Sequence, residues 1–117
     1  MQLKEFDILL DIKKQRKTEN FEVVQGDNKT NVLNIALTNS EQEYPLINNE
    51  IEVAFKRADG KVIIQEDVTV LNNRIKCMLD TDTIIVPGKV MAEIRIINTS
   101  FLLTSTQFEF NVRQSIR

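Results

Sequence analysis

The chain has 117 residues, of which 42% are hydrophobic and 27% are charged, and its formal net charge is −2. This length suits one domain, residues 1–117, which can bury a core without metals or disulfides. The small net charge, the absence of Trp and the single Tyr argue against a nucleic-acid-binding protein, which would carry a basic balance and stacking platforms. The apolar runs are far shorter than the roughly 20 residues that cross a bilayer, so we expect no membrane insertion.

The cysteine content and the N-terminus indicate where the chain is made. Cys77 is the only cysteine, so no internal disulfide can form, which fits folding in a reducing cytosol. The N-terminal stretch MQLKEFDILLDIKK carries acids inside its apolar patch and lacks a basic start and a small-residue cleavage site. We therefore interpret it as a strand rather than a signal peptide.

Alternating apolar residues predict β-strands from the start of the chain. Residues 3–14 alternate as a half-buried strand would, with Leu9 as the exception, and residues 13–20 form a polar connection. Residues 21–37 predict a β-hairpin, in which two strands are joined by a turn at residues 25–28. Next, Pro45 lacks the backbone N–H that would donate a hydrogen bond to a neighbouring strand. The segment around it therefore belongs at a sheet edge or at a crossing between sheets.

Asp59-Gly60 is the strongest local turn signal. A two-residue turn there would pair Ala58 with Lys61 and would place Phe55 opposite Ile64. Apolar side chains would then meet across the two strands.

The second half of the chain continues the two-residue period. The pattern predicts that Cys77 faces the core and that residues 90–96 form a central strand. Residues 106–112 predict the closing strand, with Phe108, Phe110 and Val112 inward. Eight or nine short strands, with turns about every ten residues, favour an all-β fold, an antiparallel immunoglobulin-like β-sandwich. A closed barrel is the alternative, but barrels of this size usually need glycines at their corners and the chain has only three.

The residue types give little support for catalysis. The chain has no His, which removes the usual general base and the commonest transition-metal ligand. Without a His to activate it, Cys77 is interpreted as a small apolar core residue. Carboxylate pairs occur at Asp80 and Asp82, at residues 41 and 43, and at residues 66 and 67, but such spacing favours turns over a calcium site or sugar hydrolysis. We expect no enzyme activity, no cofactor and no metal.

The ordered succession of motifs resembles a known family. It comprises FEVVQGD at residues 21–27, LNIAL at 33–37, YPL at 44–46, VAF before ADG at 53–60, and PGKV with AEIRI at 87–96. This order is similar to that of the N-terminal domain of the baseplate upper protein of tailed phages and prophages that infect Gram-positive bacteria. The likeness runs from about residue 5 to residue 115.

The resemblance implies a structural part of the virion tail tip without catalytic residues. In that family the domain attaches the baseplate periphery to a central hub, and a following region carries receptor-binding proteins that recognise cell-wall saccharide. Because this chain stops at residue 117, it is expected to be either a domain-sized fragment or a short protein without that region. The expected partners are the hub, receptor-binding proteins and further copies of the chain. The candidate docking surface comprises Lys13, Lys14, Arg16, Lys17, Gln25, Gly26 and Asp27, together with an edge strand open to sheet extension.

Two other functions are compatible with a β-sandwich. A saccharide-binding module would present aromatic platforms, for which the sequence offers Tyr44 and Phe101. An enzyme would have to use the carboxylate pairs.

Overall fold

The computed structural model describes residues 3–15, 17–18 and 20–116. Their secondary structure is almost entirely β, with one short 3-10 helix at Thr81–Ile84. The strands are β1 (Lys4–Asp11), β2 (Glu22–Val24), β3 (Asn31–Asn39), β4 (Gln42–Glu43), β5 (Glu50–Lys56), β6 (Val62–Gln65), β7 (Thr69–Leu71), β8 (Arg74–Met78), β9 (Gly88–Ile97) and β10 (Leu102–Arg113).

The strands form two five-stranded sheets. The first sheet has the order β1-β3-β8-β7, with β4 beside the end of β3, and the second has the order β2-β10-β9-β5-β6. The predicted sandwich is therefore confirmed. Most pairs are antiparallel as predicted, but β1 runs parallel to β3 and β2 runs parallel to β10.

The period of two along the strands builds the core. Alternate side chains point to the same face of a strand, so each alternating strand contributes one buried row. In β9 this row is Val90, Ala92, Ile94 and Ile96, all at most 2% exposed, and β9 lies between β10 and β5 as predicted for a central strand. Cys77 is fully buried in the facing sheet, which confirms its predicted orientation.

The predicted hairpin over residues 21–37 is wrong. β2 pairs with β10 in the second sheet, whereas β3 pairs with β1 in the first. The turn between them is a crossing from one layer to the other. Local alternation cannot distinguish these cases, because a strand has the same pattern whichever neighbour it pairs with.

The turn at Asp59-Gly60 exists, but the predicted register is wrong by one residue. Arg57 N–H donates to the carbonyl of Lys61 at 2.9 Å, and Phe55 lies opposite Ile63 rather than Ile64. The Arg57–Lys61 bond leaves three residues in the loop. Only Gly60 among them has a positive φ, at +87°, as in a type I turn followed by a left-handed glycine. As a result, Ile64 points outward and is 38% exposed.

The crossing at Tyr44-Pro45-Leu46 is confirmed, since it leads from β4 in the first sheet to β5 in the second. Leu46 is buried, and its N–H donates to the side chain of Asn73 at 2.9 Å. Tyr44 packs partly buried against the core. It does not stand free as a stacking platform for a sugar.

One open side of the sandwich is closed by the connection from β1 to β2. Phe21 stacks on Phe6 of β1 at a centroid distance of 4.4 Å and on Phe110 of β10 at 4.9 Å. Phe110 in turn meets Phe55 edge to face at 6.2 Å. This row of rings joins the two sheets through a residue that belongs to neither.

Candidate docking surfaces

The loop after β1 that carries Lys13, Lys14 and Lys17, called the basic loop below, is held by Asp11. Its Oδ2 accepts hydrogen bonds from the backbone N–H of Lys13 at 3.1 Å and of Lys14 at 2.9 Å. Its Oδ1 accepts from Ser40 N–H and from Thr38 Oγ1, both at 2.9 Å. The carboxylate thus ties the loop to the turn between β3 and β4.

The ionised state of Asp11 is strongly favoured. The hydrogen bonds from the backbone N–H groups of Lys14 and Lys13 lower the pKa of this carboxyl well below its ordinary value. Asp11 is only 2% exposed. The alternation over residues 3–14 gave no sign that the loop would cover this carboxylate.

The side chains of Lys13 and Lys14 remain exposed above this fixed backbone. They line a shallow depression together with Asp11, Ser40 and Glu41. The backbone is therefore fixed while the ammonium groups stay in water. Such an arrangement can present two positive charges to a neighbouring surface at little cost in backbone ordering.

The rest of the basic loop runs beside β10. Lys17 is exposed and lines a groove with Gln15, Thr18, Asn20, Met91 of β9 and residues 107–109 of β10. Gln15 pairs with Gln107 across this groove. Arg16 lies outside the described residues, so its part of the predicted surface stays a prediction.

The predicted docking turn at residues 25–27 makes several contacts within the domain. Gln25 N–H donates to Arg113 O at 2.8 Å, and Gly26 N–H donates to Ile84 O at 3.0 Å. The Gln25 side chain donates to Ile85 O at 2.9 Å and accepts from Ser115 N–H at 3.2 Å. The turn thereby fastens the end of β10 to the 3-10 helix.

The six predicted docking residues that the structure describes lie at two separate places. Asp27 lies 3.6 Å from the ammonium of Lys4 at the start of β1, whereas Lys13 and Lys14 follow its end. Eight strand residues separate these places by roughly 23 Å at about 3.3 Å per residue. The predicted surface therefore consists of two separate patches.

The candidate groups for chemistry do not assemble into a site in the part of the chain that the structure describes. No group of three His, Cys, Asp or Glu side chains there could hold a metal ion. Burial raises the pKa of the Cys77 thiol to about 12, so it stays protonated and unreactive. Nor do the described residues include a helix long and apolar enough to cross a membrane.

Sequence reasoning missed a buried polar residue that joins the two sheets. Gln65 of β6 is 2% exposed, and its Nε2 donates to Met78 O at 2.8 Å. Its Oε1 accepts from Thr83 Oγ1 at 2.8 Å and from Asp80 N–H at 3.3 Å. The available sequence signal was the polar residue at the inward position of an apolar strand, which demands partners inside.

Fold and surface together define a small β-sandwich domain with charged loops at its surface. The chain belongs to the BppU N-terminal domain family, whose sequence profile matches residues 4–117. It is thus a structural domain of the phage tail baseplate, as the sequence resemblance predicted.

A solved structure has the same fold. The N-terminal domain of phage TP901-1 ORF48 superposes with a TM-score of 0.76 at 11% sequence identity, covering 95% of this chain and 99% of that one. No curated protein matches by sequence. Membership of a baseplate family implies location in the virion tail and interaction with other tail proteins.

Proposed function

We propose that this domain attaches peripheral receptor-binding parts to the central hub of a phage baseplate at the tail tip during host adsorption. It acts as one domain over residues 1–117, in several copies and without catalytic chemistry of its own. The observation that carries the proposal is the family match over residues 4–117. The chain is synthesised in the host cytoplasm before assembly into the virion.

The basic loop is the better candidate for hub docking. Its backbone is fixed by Asp11, and Lys13 and Lys14 are exposed. At residues 25–27, by contrast, the groups that could meet a partner already bond within the domain. A positive loop of this kind fits an acidic patch on the hub and would speed the encounter of the two proteins.

The test mixes the chain with the hub protein of the same phage and measures the mass of the complex by size-exclusion chromatography with light scattering. We expect the wild type to form a complex with the hub protein. The double substitution Lys13→Glu with Lys14→Glu should weaken the affinity of this complex at least tenfold. The matched control is Arg74→Glu with Lys76→Glu, two exposed residues on the outer face of β8, which should leave binding unchanged. Absence of a complex with the wild-type protein would refute the proposal.

A further inference from the structure

The strand β6 is an open edge of the second sheet. It pairs with β5, and no other strand of the described residues lies beside it. Its two outward side chains are apolar, with Val62 51% exposed and Ile64 38% exposed. Proteins usually protect such an edge with charges or proline, and β6 has neither at these two positions.

The backbone of β6 is oriented to accept another strand. Because Arg57 N–H donates to Lys61 O, these two residues form a hydrogen-bonded pair. Such pairs alternate along an antiparallel ladder, so Phe55 with Ile63 forms the next one. Val62 and Ile64 therefore point their N–H and C=O groups away from β5, on the same residues whose apolar side chains are exposed.

We propose that β6 pairs with β6 of a second copy of this chain, antiparallel across a two-fold axis at Ile63. Val62 then lies opposite Ile64 of the second copy, and Ile64 lies opposite its Val62. The pairing joins two five-stranded sheets into one of ten strands. This proposal rests on the self-association included in the proposed function, and it names β6 as the surface through which the copies associate.

Charge is compatible with this register. Lys61 lies opposite Gln65 of the second copy and beside its Glu66, so the nearest charges are of opposite sign. Asp59, at the tip of the β5–β6 hairpin, already pairs with Arg57 through its carboxylate, at 3.0 Å from Nε to Oδ1. No carboxylate within β6 faces another.

The β1 edge, on the opposite side of the sandwich, disfavours pairing with a second copy. β1 directs the backbone groups of Glu5, Asp7 and Leu9 outward, because Lys4 N–H donates to Thr30 O on the β3 side. Symmetric antiparallel registers that keep the sheet faces aligned and overlap at least five of the eight residues of β1 place an acid of β1 opposite an acid, for example Asp7 against itself. Like charges directly opposite destabilise strand pairing. The contrast between these edges selects β6.

Two further edge strands are shorter than β6. β2 and β7 span three residues each. A pair of four-residue strands buries less area than a standard protein interface, so the dimer is expected to be weak in dilute solution. Many copies held in one tail assembly would raise the local concentration and favour the contact.

The first experiment measures the mass of the chain by light scattering and sedimentation velocity over a wide concentration range. We expect the wild type to approach twice the monomer mass at high concentration. Ile64→Lys should remain monomeric at all concentrations. Leu9→Lys is the matched control, because Leu9 is 46% exposed on the β1 edge, and it should dimerise like the wild type. A wild type that stays monomeric, or a dimer unaffected by Ile64→Lys, would overturn the proposal.

The second experiment tests the register. Val62→Lys and Ile64→Glu should each weaken the dimer, while their mixture should restore it, because the introduced ammonium of one chain then lies opposite the introduced carboxylate of the other. Failure of the mixture to associate better than either variant alone would reject this register. Urea unfolding of each variant verifies that it is folded.

Since the hub assay uses Lys13 and Lys14, it can succeed when β6 pairing fails, so the two proposals are tested separately.

Discussion

The side-chain amide of Gln15 takes the place of a neighbouring strand for Gln107. Its Nε2 donates to Gln107 O at 2.6 Å, and its Oε1 accepts from Gln107 N–H at 3.2 Å. Farther along the same edge, Phe21 O accepts from Asn111 N–H at 3.0 Å, and β2 then pairs with residues 111–113. The connection from β1 thus covers one edge of the second sheet while leaving the basic loop at the surface.

Removing this amide should loosen the connection. Gln15→Ala leaves both backbone groups of Gln107 without their side-chain partner, and we expect a loss of about 1 kcal/mol in unfolding free energy, measured by urea denaturation. Lys14→Ala is the control, because that loop residue is exposed and only its backbone bonds to Asp11. Equal stability of the two variants would show that the amide pairing contributes nothing.

Asp11 should make the domain sensitive to acid. Its folded-state pKa lies below the unfolded value of about 3.9, so its contribution to stability is complete above that value and is lost as the pH falls further. Asp11→Asn should therefore flatten the decline of melting temperature below pH 5. Thr38→Val, which removes one donor and keeps the charge, should flatten it only in part. A slope for Asp11→Asn equal to the wild type would contradict the account.

Gln65 should be needed for the contact between β6 and the end of β8. Gln65→Leu keeps similar volume but leaves Met78 O, Thr83 Oγ1 and Asp80 N–H without this partner, which should cost about 2–3 kcal/mol. Adding Thr83→Val to this variant removes the Thr83 hydroxyl, which has lost its partner Gln65. A double-mutant cycle measured by chemical denaturation should then show coupling of about 1 kcal/mol. Additive losses would refute a direct bond.

Alanine substitutions at two glycines can distinguish the effect of backbone strain on stability from the effect of a steric clash. At Gly88, φ is +121° and an added Cβ would lie 2.7 Å from the Cβ of Ala58. At Gly60, φ is +87° and an added Cβ would meet nothing within 4 Å. We expect Gly88→Ala to cost roughly 2–4 kcal/mol and Gly60→Ala about 1 kcal/mol in thermal or urea unfolding.

A further substitution isolates the contact at Gly88. In an Ala58→Gly background, Gly88→Ala should lose less stability than in the wild type, because the opposing methyl group is gone. An unchanged loss would assign the whole effect to the backbone conformation.

Much of the strand content was predictable from single residues and their spacing. The two-residue period of β9 fixed which side chains are buried, because pleating alternates them whatever lies beside the strand. Pro45 marked the crossing between the sheets, since it cannot donate to a ladder. The order of the turn motifs was enough to predict the baseplate family.

Strand pairing was not predictable in the same way. Backbone groups are the same in every strand, so nothing local in residues 21–37 indicates that β2 pairs with β10 and β3 with β1. The same is true of the one-residue shift at Gly60, which decided that Ile64 lies on the surface.

The amino-acid sequence by itself determined an all-β chain, the inward face of each long strand and the family, because these depend on residue type and spacing. Only the tertiary structure decided which edges stay open, how the basic loop is fixed and where the predicted docking residues lie. Those features depend on partners far away in the chain, such as Gln107 for Gln15 and Ser40 for Asp11. Such pairs exist only once both sheets have packed.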